Sequence, residues 1–499
     1  MDHVQLKPDD IYWVRIWKQF YSRKLGKAAF WVVLAFCFVG VYAPFLASSK
    51  PLVVQYNGEW FFPLFRYLFY SGFYTKRLDI FFNLLIFILP LVVASFYLFN
   101  GHRKRLAFSL AALLLIQTIS FLYFAYAQAR DPAYDASLSR QRQVALSHHP
   151  VASWDFELRY LSPYARLNLV LQYQQRLQQQ QRLKQYAANP ENMPTLWQRN
   201  RNNEDREILR LDNILKASKN DSQVYIQSKA DLDTILQRRQ WLEDQLSLLH
   251  YEVMPLVRPF HWEDDAGGDQ AFNKRLPFWE LTRINRKDLV AALIFGVRIS
   301  LVVGILAVSL ALAIGVPIGA YAGYYGGRFD IVVSRLLEIW EAMPTFFMLL
   351  MVVAIMQSKS IFIVISVIGL FGWTSFSRYI RGEFFKQRNL PYIEACRAIG
   401  FHDTHIMFSH ILPNAIPPLL TLLPFAIMGA ITSEAGLSFL GLGEEGSCSW
   451  GVLMDEGRSA FPGESYLLWP PAILLTILLV AIALVGDSLR DALDPKMHR

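Results

Sequence analysis

Charge is in short supply in this sequence. Asp, Glu, Lys and Arg together make up 18% of its 499 residues, against roughly 25% in soluble domains, while 53% are hydrophobic. That shortage excludes disorder over the whole chain and argues against an ordinary soluble enzyme. Cysteine is scarce too. Cys37, Cys396 and Cys448 are too few and too scattered for a disulfide framework or a tetrahedral metal site, and they read as structural. No G-x-x-x-x-G-K-[ST] loop is present to cradle a nucleotide's phosphates. His102, His402, His405 and His410 form no H-E-x-x-H or other closed metal set, and no nucleophile–base pairing stands out. The residues therefore point to no cofactor on this chain. Lys and Arg outnumber Asp and Glu by 49 to 41, a net +8. Nucleic acid could explain that excess, and so could basic loops retained on the cytoplasmic side of a membrane.

What is abundant is long apolar runs. Spanning a hydrocarbon core of roughly 30 Å takes about 20 apolar helical residues. Eight stretches qualify: Ala29–Leu46, Phe81–Phe99, Leu106–Ala127, Ile299–Ala322, Ile331–Met356, Ile361–Ile380, Pro417–Ala435 and Leu467–Val485. Lipid offers backbone groups no water, so an all-α polytopic membrane protein of about eight transmembrane helices is expected. The small residues after Phe45 would suit signal cleavage, but the polar lead over 1–28 favours a retained anchor over 29–48.

The positive-inside rule sets the orientation. Arg15, Lys18, Arg23, Lys24 and Lys27, the turn Asn100–Arg105, Arg328, Arg335, and then Arg381, Lys386, Arg388 and Arg397 all fall on one side if the N-terminus is cytoplasmic. The 436–466 loop, with Glu444, Glu445, Asp455, Glu456 and Glu464 against Arg458, then faces outward. Both termini, 1–28 and 487–499, are expected inside. Lys50, Arg66, Lys76 and Arg77 in the 49–80 loop are the exceptions.

Residues 128–298 differ in kind: polar, Gln-rich and, by parity, extracytoplasmic, which argues against nucleic acid. Leu169, Tyr173, Leu177, Gln180 and Lys184 make a weak helical stripe, and Leu232, Ile235, Leu242, Leu246 and Leu249 a better one. Asn189-Pro190 and the Arg199–Arg206 run interrupt them. The spacing predicts an antiparallel helical hairpin, and the Gln175–Gln181 run lends weight to a solvated, partly disordered insertion.

Function-bearing residues gather between the sixth and seventh spans, in Tyr392–Gly400 and His410–Asn414. A short helix with small Ala395 and Ala398 on its surface can seat closely in a partner's groove. Gly400 can end it in a left-handed cap, and Glu394 near its start suits the helix dipole. From the residues alone this is either a docking helix or an ordinary amphipathic connector.

This run resembles the EAA loop of ABC importer permeases, matching at Glu394, Ala395, Gly400, Leu412 and Pro413 and departing at Cys396 and His410. His410–Asn414, Tyr324–Asp330, Arg335–Pro344, Phe371–Trp373, Leu437–Gly443, Ser449–Gly451 and Gly486–Pro495 look like its oligopeptide/dipeptide (OppC/DppC) branch. Lys50–Leu64 is similar to the Yej-type (YejE) subgroup. The resemblance covers roughly 290–499 and about 25–65. It implies a transmembrane permease subunit of an ATP-driven ABC importer for peptides or peptide-like solutes, in a bacterial inner membrane and not itself an enzyme. It further implies a coupling helix in the 381–413 loop of a 299–486 core. The implied partners are two ATPase subunits or domains carrying Mg-ATP, a second homologous permease and an extracytoplasmic solute-binding protein.

Two departures stand out. The family generally has six spans, and Phe81–Ala127 adds an apparent hairpin over 81–127 that preserves the sidedness of everything downstream. The family's Leu-Gly-Thr-Asp…Gly-Arg-Asp segment is replaced by Leu276–Thr282 and Asn285–Asp288, of which only Asp288 fits. Polar or kinking residues inside spans are candidates for the pathway or its gate: Glu341, Pro344 and Glu434. Arg335 and Glu338 can pair with each other at i, i+3, whereas Glu341 has no such partner. The rival reading is a membrane-anchored sensor or scaffold whose 128–298 region binds a partner.

Overall fold

The computed structural model describes residues 16–69, 77–99, 101–126, 136–148, 153–186, 203–217, 222–257, 288–356, 359–444, 447–459 and 465–493. Among these, seven helices are long and apolar enough to cross a membrane, or eight if one bent pair counts as a single span. The chain divides into two compact units, Met1–Gly40 with Leu293–Arg499, and Val41–Ala292.

The first unit holds α1 (Lys24–Val41) and most of α9 (Leu289–Tyr325). These are followed by α10 (Gly327–Ala342), α11 (Thr345–Met356), α12 (Ile361–Gln387) and α13 (Pro391–Ala398). The last four are α14 (Leu412–Leu420), α15 (Leu423–Leu437), α16 (Trp450–Ser459) and α17 (Trp469–Leu493). Helix α9 starts ten residues before the expected Ile299, at an N-cap where the Asp288 carboxylate accepts from Ala291 N at 2.8 Å. It runs straight through Arg298, which apolar averaging would exclude. Arg298 is 1% exposed and donates from Nε to the Gly40 carbonyl at 2.7 Å.

Three glycines set how α9 packs. A Cβ on Gly315 would lie 2.4 Å from the Trp373 carbonyl oxygen, on Gly319 2.3 Å from that of Ser377, and on Gly323 2.6 Å from that of Arg381. A four-residue glycine repeat thus brings α9 and α12 into backbone contact, the usual route to tight association where lipid supplies no hydrophobic drive.

The expected single span Ile331–Met356 is two helices bent by 77°. Met343 is extended (φ −81°, ψ 127°), as the residue before a proline prefers, and Pro344 opens α11, accepting from Met348 N at 3.1 Å. The seventh span is likewise divided. Helix α14 carries Pro417 and Pro418, and α15 starts afresh with Pro424 in its first turn.

The second unit contains the added apolar hairpin, α2 (Arg77–Leu98) and α3 (Arg103–Tyr126). Polar side chains join the two. Ser95 and Ser109 share a hydrogen bond at 2.8 Å, and Gln117 Nε2 donates to the Phe81 carbonyl at 3.0 Å. The rest of the unit is a small mixed body: β1 (Val53–Tyr56), β2 (Glu59–Phe61), α4 (Ala136–His148), α5 (Trp154–Arg159), α6 (Pro163–Tyr186), α7 (Asn203–Ala217), α8 (Gln223–Leu246) and β3 (Leu249–Val253).

Sequence reasoning missed its sheet. Asn57 and Gly58, both at positive φ (51° and 81°), turn β1 into β2, the geometry an Asn-Gly pair favours in a two-residue hairpin. Strand β3 then pairs antiparallel with the other edge of β1. Val54, Tyr56 and Phe61 face Leu167, Val170, Leu171 and Tyr173 of α6 and Leu242 of α8 in one core. Among the described residues the insertion is therefore five helices and strand β3, which completes a sheet begun in the 49–80 loop, rather than a lone hairpin.

Leu249, placed on the second helical stripe by spacing, belongs to β3. The Arg199–Arg206 run is not a break throughout, because α7 begins at Asn203 with Glu204 and Asp205 in its first turn. Arg239 of α8 reaches Asp205 at 2.5 Å. Tyr173 donates to Glu243 at 3.0 Å. Burial, with that carboxylate beside it, pushes its hydroxyl up to about 12, so it stays a donor at physiological pH. Gln175–Gln181, where disorder was expected, is helical within α6, while Asn189-Pro190, Glu445, Glu464 and the 276–287 segment lie outside the described residues.

Candidate functional site

Helix α13 starts at Leu390, extended at ψ 147°, with Pro391 as its first helical residue. It ends at Gly400, at φ +90°. Phe401 N donates to the Cys396 carbonyl at 3.2 Å and Gly400 N to that of Arg397 at 2.9 Å. Together these are the paired bonds of a Schellman cap. One residue anchors the helix inward: Ile393 is fully buried. Glu394, Ala395, Ala398 and Gly400 are exposed, and so are Leu390, Tyr392, Ile399 and Phe401 around them. Eight residues are too few to hold a helix in water unaided, so its neighbours must.

Those neighbours were not legible in the sequence. Tyr324, in the last turn of α9, donates its hydroxyl to Asp403 Oδ1 at 2.6 Å, just beyond the Gly400 cap. The Arg397 guanidinium lies 5.3 Å from the Tyr324 ring centre. Arg388 donates to the terminal carbonyls of α9, Gly323 at 3.3 Å and Tyr324 at 3.2 Å, where the helix dipole favours a cation. Arg381 forks onto the Asp330 carboxylate, tying α12 to α10. The segment around α13 is thus bonded to the end of α9, and the end of α12 to α9 and α10.

Past Asp403 the chain winds as a π-helix over Ile406–Ile411 before Leu412 and Pro413 begin α14. Leu412 is half-buried and Pro413 exposed. His405 meets the Phe401 ring edge-on at 5.1 Å and His410 stacks on it at 5.6 Å. Among the described residues no three ligating side chains converge on a metal position.

The pathway candidates fall in two places. Glu341 sits one turn before the Pro344 break; it has no partner at helical spacing on α10 and pairs instead with Arg378 of α12. Spacing on one helix could not reveal a partner 37 residues away. Arg335 and Glu338 pair on α10, as their spacing suggested. Glu434 is 1% exposed in α15 and accepts from Ser438 at 2.7 Å and Ser449 at 2.6 Å. Ser449 immediately precedes α16, whose buried Trp450 donates to the Leu293 carbonyl of α9 at 3.0 Å. Glu434 thus fastens the start of α16 to α15.

Comparison with known families and proteins agrees with these elements. Residues 315–499 match the binding-protein-dependent transport system inner membrane component, and residues 12–62 match the N-terminal TM domain of oligopeptide transport permease C. The oligopeptide transport system permease protein OppC of Escherichia coli is 37% identical over 250 residues, 49% of this chain and 82% of OppC. The chain belongs to this permease family.

The peptidoglycan transport system permease protein YejE of Agrobacterium fabrum is 36% identical over 219 residues, and the YejE permease of E. coli is 36% identical over 218. Each alignment covers 44% of this chain, and the chain spans 57% and 63% of those two relatives. The 315–499 match takes in α13, the π-helix, Glu341 and Glu434, together with the stretch of α9 that carries Gly315, Gly319 and Gly323. The α2–α3 hairpin and helices α4–α8 lie outside both matched regions. Members of the family are transport permeases and not enzymes.

Proposed function

We propose that this chain is the permease subunit of an ATP-driven importer for peptides or peptide-like solutes, multi-pass in a bacterial inner membrane with both termini cytoplasmic. Two ATPase subunits or domains would carry the Mg-ATP, a second homologous permease would complete the pathway, and an extracytoplasmic binding protein would deliver cargo to the side that bears 128–298. The peptide class is carried by the names of relatives, since oligopeptides and peptidoglycan both contain peptide.

The observation that supports coupling is the exposed Glu394–Ala395–Ala398 face on a helix capped at Gly400 and bonded to the end of α9. When the ATPases close, their cleft would push α13. The push would pass to α9 and α12 and bias two arrangements of the membrane helices. The bend at Pro344, the Glu341–Arg378 pair and the Glu434 fastening are the places where those arrangements would differ.

The test is uptake and peptide-stimulated ATPase activity of the assembled complex carrying Ala395→Trp or Gly400→Pro. Proline at 400 requires φ near −65° and has no N–H for Arg397. Both variants should insert normally and lose ATP-driven uptake. Full uptake by either would remove the docking role, and an isolated homo-oligomer without ATPase would favour the scaffold reading.

A further inference from the structure

We infer that the turn end of the α2–α3 hairpin is a binding site for the headgroup of an anionic phospholipid. Phe99, Lys104, Arg105, Phe108, Ser109 and Ala112 line an open cleft of about 510 Å³ there. Lys104 and Arg105 are both exposed, and neither has an acidic partner among the described residues. Asp79 is the one acidic residue in the sequences of the two helices, and it stands in the first turn of α2. That places it about 30 Å from the turn at 1.5 Å per residue. The cleft therefore combines two uncompensated cations with aromatic walls.

The face of α3 that leaves the cleft continues this design. Phe108, Ala112, Leu115, Ile119 and Leu122 repeat at helical spacing, Phe108 is 78% exposed, and only 11% of the residues in the apolar window of α3 are buried. Cations at the helix end and uncovered hydrocarbon along the shaft match the two parts of one phospholipid molecule, phosphate and acyl chain. A free anion would use the cations and leave the apolar face idle. A zwitterionic lipid would use the face and bring no net charge to Lys104 and Arg105. Basic residues in a cytoplasmic turn also orient a hairpin, and that role alone predicts no lipid preference.

Native mass spectrometry of the full chain in detergent, titrated with phosphatidylglycerol, phosphatidylethanolamine or inorganic phosphate, separates these cases. Phosphatidylglycerol adducts should dominate and resist millimolar phosphate. The Lys104→Gln/Arg105→Gln pair should weaken them about 30-fold, roughly a factor of five per cation. Phe108→Ala should weaken them as well, and Lys386→Gln on α12 should change nothing. Equal retention of phosphatidylethanolamine, displacement by phosphate, or unchanged binding in the double variant would each overturn the assignment.

Discussion

A carboxylate sealed within a membrane helix must find donors, because no water reaches it. Glu434 finds two, the hydroxyls of Ser438 and Ser449. Glu434→Ala would orphan both and leave a void, costing about 2–4 kcal/mol. Glu434→Gln keeps an acceptor and should cost about 1 kcal/mol. Thermal unfolding of the detergent-purified chain would rank the two, and equal midpoints would mean that the bonds to the serines contribute nothing. Glycine supplies a second residue-scale test. Gly319→Ala drives a Cβ to 2.3 Å from the Ser377 carbonyl oxygen, whereas Gly382 on α12 meets nothing within 4 Å. Gly319→Ala should sharply reduce the recovery of folded protein. Gly382→Ala should be neutral or stabilising by about 0.5–1 kcal/mol, since it removes glycine's unfolded-state freedom. The helix that the four-residue glycine repeat of α9 meets could not be read from the sequence, because nothing in a linear chain says which helix backbone will approach.

Among the elements, α13 was the most legible. Its start at a proline, its small residues and its glycine stop are local signals, and local signals act through backbone geometry that needs no tertiary partner. What holds it was illegible: Tyr324 lies 79 residues from Asp403, and the motif that Tyr324 opens does not say that the two meet. Tyr324→Phe removes that hydroxyl and leaves the span apolar. A hydrogen bond to a carboxylate contributes about 1.5–3 kcal/mol, so α13 should loosen. The expected readout is a several-fold drop in substrate-stimulated ATPase activity with basal ATPase retained, and unchanged stimulation would show that Tyr324 does not carry the coupling. The break at Met343-Pro344 teaches the same distinction. The proline was legible, while the 77° bend was not, and both α10 and α11 pack against α12 on either side of it.

For the whole molecule, sidedness is the largest open prediction. In a background with Cys37, Cys396 and Cys448 replaced by serine, Lys229→Cys on α8 should react with an impermeant maleimide on sealed cells. Ala398→Cys should react only after permeabilisation. The reverse pattern would place α13 on the wrong side for any cytoplasmic ATPase. The mixed body also changes how the insertion can be dissected. Cutting out 140–260 would remove β3, α6 and α8 and expose the apolar sides of Val54, Tyr56 and Phe61, so point changes on its surface are the cleaner probes.

Sequence by itself determined the membrane helices and the position of the short loop helix with its glycine cap. Length, hydropathy and backbone preference are properties of contiguous residues. Tertiary structure alone decided that Arg298 could sit inside a span, that Glu341 would meet Arg378, and that strands near residues 55 and 250 would share one sheet. Each of those outcomes depends on a partner far away in the chain, and burial is paid for only once that partner has arrived.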